Sequence, residues 1–215
     1  MEDAGSIKHQ LRREVLARRK KLTVPQRVLH SAEVLQRVFD LEVMERAEWV
    51  HFYCSAGSEV ETSGMIAHAL RSGKRVSVPR MDSRANRLVL SEVLNPAKEL
   101  LPNSAGIPEP LEAFYRPVGE DRMDLFVIPG VAFDMKGGRL GKGKGYYDRL
   151  LAPLVGGRPV VGLAFESQMV AEVPMEDHDI RVGWIVTEKR AIECGKPESG
   201  QTGIRDKERE HGRDH

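Results

Sequence analysis

Several features that mark specialised protein classes are scarce or absent in this sequence. The 215 residues include two cysteines, Cys54 and Cys194, too few for a disulfide scaffold, so we expect reduced thiols. No apolar run approaches the length of a membrane span, and residues 1–13 lack the apolar segment of a secretory signal. The formal net charge is +1, so no global field attracts nucleic acid or a membrane surface. These absences predict a cytoplasmic protein with neither class of partner.

What is present fits an ordinary globular enzyme. Hydrophobic residues make up 40% and charged residues 30% of the chain, and this length can bury a sizeable core. We predict a single catalytic domain over residues 1–194. Residues 195–215 hold one sizeable apolar side chain, Ile204, and this composition predicts a disordered polar tail.

The coarse pattern alternates strands and helices. An apolar stripe of Ile7, Leu11 and Val15 predicts a helix beginning near Ser6, and residues 23–26 read as a capping box for a second. Thr62 is expected to cap a third helix, and residues 146–154 to form a further one. Predicted strands are 49–54, 75–79, 87–91, 125–128, 159–164 and 184–186. The alternation predicts an α/β fold with a mainly parallel sheet and helices on both faces.

The most informative segment is Pro129–Arg149, PGVAFDMKGGRLGKGKGYYDR, which follows a buried strand and opens a helix. Glycines let a backbone approach a ligand and point its N–H groups at it, and the interleaved cations favour a polyphosphate. The spacing matches neither a Walker A loop nor the dinucleotide fingerprint. The alternative is a flexible hairpin whose lysines only aid solubility.

Other candidates are open from pattern alone. Asp148 could bind Mg²⁺ beside phosphates or simply stabilise a helix start. The cations of the first helix could form a solvated basic face or contact RNA. Glu59 follows the first predicted strand and could accept hydrogen bonds from a nitrogen-rich ring, whereas Cys54 reads as a small buried residue. Residues 176–179 could supply another metal carboxylate.

Taken together, the motifs resemble those of the 5-formyltetrahydrofolate cyclo-ligase family, also called methenyltetrahydrofolate synthetase. The resemblance covers roughly residues 6–190 and rests on short segments in a fixed order: KHQLR at 8–12, GSEVET at 57–62, GIPEP at 106–110, PGVAFD at 129–134, RLGKGKGYYDR at 139–149, GLAFESQ at 162–168, Val173-Pro174 and His178-Asp179. The glycine–tyrosine–aspartate stretch is the most specific of them.

The resemblance implies a three-layer α/β sandwich with an N-terminal helical pair. It implies ATP-dependent conversion of 5-formyltetrahydrofolate to 5,10-methenyltetrahydrofolate, with Mg²⁺ as cofactor and with the two small molecules as the partners of a monomer or weak homodimer. Its catalytic residues would be Lys144 and Arg139. The positions matching the family's ATP contacts are Lys8, Arg12, Arg139, Leu140, Gly141, Lys142, Gly143, Lys144, Gly145, Tyr146 and Tyr147. Those matching folate contacts are Cys54, Glu59, Lys144 and Tyr146, and those matching metal ligands are Asp148 and Asp179.

Two rival functions follow from the same residues. A retargeted relative would keep the nucleotide loop and act on another formylated or carboxylated substrate. An RNA-binding protein would use the basic first helix and the Lys/Gly loop, but the near-zero net charge and the lack of an aromatic RNA-binding signature count against it.

Overall fold

The computed structural model describes residues 4–154 and 157–195. Its helices are α1 Ala4–Lys20, α2 Val24–Phe39, α3 Glu42–Arg46, α4 Ser63–Arg71, α5 Pro96–Glu99 and α6 Tyr146–Leu151. Its strands are β1 Trp49–Phe52, β2 Arg75–Asp82, β3 Arg87–Val93, β4 Leu100–Pro102, β5 Pro108–Pro110, β6 Pro117–Val118, β7 Leu125–Pro129, β8 Ala132–Phe133, β9 Arg139–Leu140, β10 Val160–Leu163, β11 Trp184–Val186 and β12 Ala191–Glu193. Short 3₁₀ turns occupy 112–114, 120–122, 152–154 and 166–168.

An eight-stranded sheet forms the centre of the molecule, in the order β12-β11-β10-β7-β1-β2-β3-β6. The inner strands β11, β10, β7, β1 and β2 run parallel, whereas β12, β3 and β6 pair antiparallel at the two edges. Two small antiparallel pairs, β4-β5 and β8-β9, lie outside this sheet. The loops that follow the parallel strands therefore meet at one edge, which is where α/β sheets bind ligands.

Helices cover both faces of the sheet, because the buried strands alternate their side chains between two cores. On β7, Leu125 and Val127 pack on one face with residues of α2, α3 and α4. Phe126 and Ile128 pack on the other face, with Leu150 and Leu151 of α6 among their neighbours. The predicted three-layer α/β architecture with an N-terminal helical pair is confirmed.

A third, smaller core joins α1 to the β8-β9 hairpin. Val15 is fully buried there with Val131, Ala132 and Leu140 of the β8-β9 region. This packing holds the N-terminal helix directly over the segment that the sequence singled out as a phosphate loop.

Some local predictions were wrong. Ser6 lies inside α1, which the structure describes from Ala4, and α6 ends at Leu151, with a 3₁₀ turn over 152–154. Thr62 stands at the start of α4 but does not cap it, because its hydroxyl donates to the carbonyl of Tyr53 and accepts from the N–H of Ser55. The predicted capping box of α2, formed by Thr23 and Gln26, is confirmed.

The predicted tail falls almost entirely on residues 196–215, which lie outside the described residues, and the division into one domain and a tail stays a prediction. Within residues 4–154 and 157–195, no helix combines the length and the apolar character that crossing a membrane requires.

Candidate functional site

A cavity of about 710 Å³ opens at the carboxyl edge of the parallel strands. It is bounded by α1, by the loop that follows β9, by the start of α6 and by the segment 176–180. Lining residues with predicted roles are Lys8, Arg12, Arg139, Leu140, Gly141, Gly143, Lys144, Gly145, Asp148 and Asp179. Segments far apart in sequence, each proposed for ATP or metal, are thus brought to one place.

The glycine-rich stretch divides into two parts with different roles. In the first, Asp134 accepts hydrogen bonds from the N–H groups of Lys136 and Gly138 and closes the β8-β9 turn. Gly137 is needed there because its φ is +83° and a side chain would collide with the carbonyl of Val182. This turn belongs to a hairpin, so the Lys136 end of the stretch lies outside the cavity.

The second part is the loop 141–145. Gly141, Gly143, Lys144 and Gly145 line the cavity, whereas Lys142 pairs with Glu59. Gly143 and Gly145 adopt φ values of +98° and +62°, conformations that residues with side chains rarely take. Lys144 between them is exposed; among the described residues its ammonium has no ion pair, and it stands 5.9 Å from the ring of Tyr146. The loop therefore presents an uncompensated cation beside the cavity.

Helix α1 contributes cations from its inner side. The Nε of Arg12 donates to the carbonyl of Gly141 at 2.8 Å, which fixes the loop to the helix. Lys8 is 7% exposed and Arg19 4%, although both belong to the run of cations that pattern alone favours as a solvated face. The basic face is therefore solvated only in part: Lys8 and Arg19 are turned inward, whereas Arg13, Arg18, Lys20 and Lys21 are exposed.

Lys8 contacts the acidic segment 176–179. Its ammonium lies 2.5 Å from Glu176 Oε2 and 2.6 Å from Asp179 Oδ2. Burial alone would lower the pKa of Lys8, but the hydrogen bonds to Asp179 and Glu176 outweigh it and the pKa is raised. Burial would likewise raise the pKa of Asp179, yet the bond from Lys8 outweighs it and the pKa is lowered. Both groups are held in their charged forms.

Arg139 and Asp148 form a buried ion pair on the cavity wall. Arg139 is 4% exposed, and its Nη2 lies 2.6 Å from Asp148 Oδ1. The same carboxylate oxygen accepts from the N–H of Ile180 at 3.3 Å. The Nε of Arg139 is buried without a hydrogen-bond partner among the described residues, so the guanidinium keeps a donor unused.

A second cluster lies beside the loop, at the end of β1. Glu59 is 6% exposed, and its Oε1 is 2.7 Å from the ammonium of Lys142. Its Oε2 accepts from the N–H of Ala56 at 3.0 Å. Cys54 is buried here, and burial, together with the charge of Glu109, raises its pKa to about 12. A thiol held protonated is a packing residue and not a nucleophile.

The two tyrosines that begin α6 have different surroundings. Tyr146 donates from its hydroxyl to Asn86 Oδ1 at 3.1 Å. The hydroxyl of Tyr147 is buried without a partner among the described residues, and burial, then the charges of Cys54 and Glu59, raises its pKa. Tyr147 therefore stands between the cavity and the Glu59 cluster.

Two contacts of the site escaped the sequence prediction. The β2-β3 turn reaches α6 through Asn86, whose side-chain oxygen accepts from Tyr146 and whose carbonyl accepts from Arg149 at 3.3 Å. Asn86 has φ +49°, a conformation asparagine tolerates in turns, but no local signal ties that turn to residues about sixty positions later. The pairing of Glu176 with Lys8 is the other, because the sequence offered residues 176–179 only as a source of a metal carboxylate and did not connect them to α1.

Most of this chain is similar to proteins of one family. Residues 4–188 match the model of the 5-formyltetrahydrofolate cyclo-ligase family. A mouse protein named 5-formyltetrahydrofolate cyclo-ligase is 30% identical over 192 residues, covering 86% of this chain and 95% of the mouse protein. An Escherichia coli protein of the same name is 32% identical over 179 residues, covering 82% and 97%. The solution structure of Aquifex aeolicus 5,10-methenyltetrahydrofolate synthetase superposes with a TM-score of 0.77 at 32% identity, covering 93% of this chain and 99% of that one.

Proposed function

Because this chain belongs to the 5-formyltetrahydrofolate cyclo-ligase family, we propose that it converts 5-formyltetrahydrofolate to 5,10-methenyltetrahydrofolate, with ATP consumed to ADP and phosphate. One observation carries the proposal: Lys8 and Arg12 of α1 line the same cavity as Arg139, the loop 141–145 and Asp148. They come from segments far apart in the sequence, and together they supply the cations that a triphosphate needs.

In the proposed complex, the triphosphate lies along the loop 141–145, within reach of its backbone N–H groups. The proposed ATP contacts are Lys8, Arg12, Arg139, Leu140, Gly141, Lys142, Gly143, Lys144, Gly145, Tyr146 and Tyr147. The cavity's volume, about 710 Å³, is in the range of small-molecule sites.

The chemistry needs positioning more than it needs a protein nucleophile. The formyl oxygen attacks the γ-phosphorus of ATP, a P–O bond forms, and ADP leaves. Folate N10 then attacks the activated carbon, the carbon–oxygen bond breaks, phosphate departs, and N10 loses its proton. The protein must align two substrates and neutralise the charge of the transferring group.

We assign that neutralisation to Lys144 and Arg139. Lys144 has no ion pair among the described residues, so its charge is available to the transferring phosphoryl group. Arg139 is held by Asp148 at 2.6 Å. Among the described residues, its Nε has no hydrogen-bond partner. In our proposal, Arg139 is the fixed donor of the site and Lys144 the mobile one.

The folate is proposed to bind beside this loop, against Cys54, Glu59, Lys144 and Tyr146. Glu59 is the one that orients the pterin, because a carboxylate accepts two parallel hydrogen bonds from neighbouring ring and amino N–H groups. Cys54 contributes only its surface, since its raised pKa keeps the thiol protonated.

The donor set on the cavity wall fits Mg²⁺, which prefers one or two carboxylates together with phosphate oxygens. Asp148 and Asp179 would hold it, and Asp179 lies in a group with Glu176 and His178 whose ligand atoms are within 4.8 Å of one another. When bound, the ion supplies positive charge that screens the phosphate oxygens. The cytoplasmic location and the monomeric or weakly dimeric state stay predictions.

The test is direct. Purified protein is incubated with 5-formyltetrahydrofolate, ATP and Mg²⁺, and the near-ultraviolet band of the methenyl product is followed. We expect the band only when all three are present. A folded protein that binds ATP but yields no band would contradict the proposal and favour a retargeted relative.

A further inference from the structure

The ion pair between Lys142 and Glu59 bridges the two halves of the site. Lys142 belongs to the loop that lines the cavity, whereas Glu59 follows β1, and their charged atoms are 2.7 Å apart. With the N–H of Ala56 on its other oxygen at 3.0 Å, the carboxylate has both oxygens engaged. The residue proposed to orient the pterin is therefore paired with a side chain of the loop 141–145.

The two side chains of this pair differ in exposure, so a ligand can readily replace Lys142 as the partner of Glu59. The Glu59 side chain is 6% exposed, but that of Lys142 is 57% exposed, so water already solvates much of the lysine and a solvated pair contributes little. Glu59 cannot be left without a partner, because a buried carboxylate needs hydrogen-bond donors. A ligand that brings its own donors can take the place of Lys142.

The loop has a second attachment on its nucleotide side. The carbonyl of Gly141 accepts from Arg12 at 2.8 Å, and the open side of Gly143 faces the guanidinium carbon of Arg12 at 3.6 Å from where a Cβ would stand. Lys142 sits between these two glycines. Once its ammonium leaves Glu59, the side chain is tethered beside the cavity in which the triphosphate is proposed to lie.

We propose that Lys142 couples the two substrates: pterin donors displace it from Glu59, and the released ammonium joins the triphosphate. Each substrate then raises the affinity of the other by the same factor, since binding linkage is reciprocal. This inference rests on the proposed function. It adds a positioning residue, Lys142, whose contact with the nucleotide depends on whether folate is bound at Glu59.

The test measures this coupling by calorimetry. A non-hydrolysable ATP analogue with Mg²⁺ is titrated into the protein with and without saturating 5-formyltetrahydrofolate. For wild-type protein we expect the analogue to bind at least about fivefold more tightly when the folate is present. For Lys142→Met we expect a ratio close to one, and folate alone binding at least as tightly as to wild type, because its competitor for Glu59 is gone.

A matched control lies in the same glycine-rich stretch. Lys136 also pairs with a glutamate, Glu172, at 3.3 Å, and both side chains are 71% exposed, but Lys136 lies in the β8-β9 turn and not in the loop 141–145, and its partner is not Glu59. Lys136→Met should keep the full coupling. Both lysines are exposed, so neither substitution should unfold the protein, and thermal denaturation checks this.

The possible results separate the two proposals. Should wild-type protein bind both ligands with no coupling, or Lys142→Met retain it, the role of Lys142 is overturned while the enzyme assignment stands. Weaker folate binding by Lys142→Met would also overturn it, since a lysine that competes with folate cannot strengthen its binding. Should neither ligand bind the wild-type protein, the proposed function fails and this inference fails with it.

Discussion

The proposed chemistry depends on individual charged side chains, and Lys144 is the one that we expect to matter most. Its ammonium is exposed on the cavity wall and lacks an ion pair among the described residues. Replacing it with alanine removes charge from the transferring phosphoryl group, so we expect Lys144→Ala to lower turnover at saturating ATP by roughly two orders of magnitude. Steady-state kinetics with both substrates measures this.

Lys136→Ala is the control for that substitution, because Lys136 lies in the same stretch but in the β8-β9 turn. Its turnover should match that of wild type. Near-normal turnover of Lys144→Ala at saturating ATP would show that the assigned role is wrong.

His51, which is fully buried in β1, affects how stability depends on pH. Its Nδ1 lies 3.1 Å from Ser77 Oγ, and burial lowers its pKa to about 3. An unfolded histidine titrates near 6.5, so between these values the unfolded chain binds a proton that the folded chain does not. The neutral ring therefore contributes its full stability above pH 6.5, and that stability falls as the pH drops towards 3.

Between pH 7.5 and pH 5, His51 should thus reduce the free energy of unfolding by about 2 kcal/mol. Urea denaturation across this range measures the slope, and His51→Leu should remove this share of it. His9→Gln, on the exposed side of α1, should leave the slope unchanged. If His51→Leu and wild type lose stability in parallel, folding does not lower the pKa of His51.

At the scale of elements, the loop 141–145 depends on its backbone conformation. Gly143 has φ +98°, and alanine is strained in this region. We expect Gly143→Ala to shift the loop and weaken binding of an ATP analogue by about tenfold, which corresponds to about 1.4 kcal/mol of strain expressed in binding. Calorimetric titration measures the affinity.

Gly106→Ala separates this effect from general strain. Gly106 has φ +74°, no atom lies within 4 Å of where its Cβ would stand, and it does not line the cavity. The substitution should cost stability in the same way and leave the nucleotide affinity intact. Equal loss of affinity in both variants would contradict a local role for the loop.

The elements also show what the sequence could and could not predict. Periodicity located β7, because a strand buried on both faces is continuously apolar, and it located α2 through its capping box. It missed β4, β5, β6, β8, β9 and β12, because strands of two or three residues are too short for a pattern to emerge. Their existence depends on partners distant in sequence.

The same reasoning applies to the site. The glycines and cations of 139–145 predicted a phosphate loop from local chemistry alone. Local chemistry did not separate Lys136 from Lys142, since both follow the same pattern but one pairs with Glu172 and the other with Glu59. Partner choice is a property of the tertiary structure, so the roles of these two lysines could be distinguished only there.

At the scale of the whole molecule, the edge strand β12 bears on how much of the C-terminal chain the fold requires. The family match ends at residue 188, yet β12 pairs antiparallel with β11 and its Ile192 is 8% exposed in the core. Residues 196–215, in contrast, carry too few apolar side chains to form a core. The boundary between required and dispensable chain should therefore fall just after β12.

Two shortened variants test this boundary. A chain ending at Gly195 should match the full chain in melting temperature and turnover. A chain ending at Arg190 keeps the contacts of Thr187 with Arg190 but loses β12 and exposes the edge of β11. Burying one isoleucine is worth about 2 kcal/mol, so its melting temperature should fall by roughly 5 °C. Equal melting temperatures for the two variants would mean that β12 does not stabilise the sheet, and a loss of activity on ending the chain at Gly195 would give the remaining residues a function that their composition does not predict.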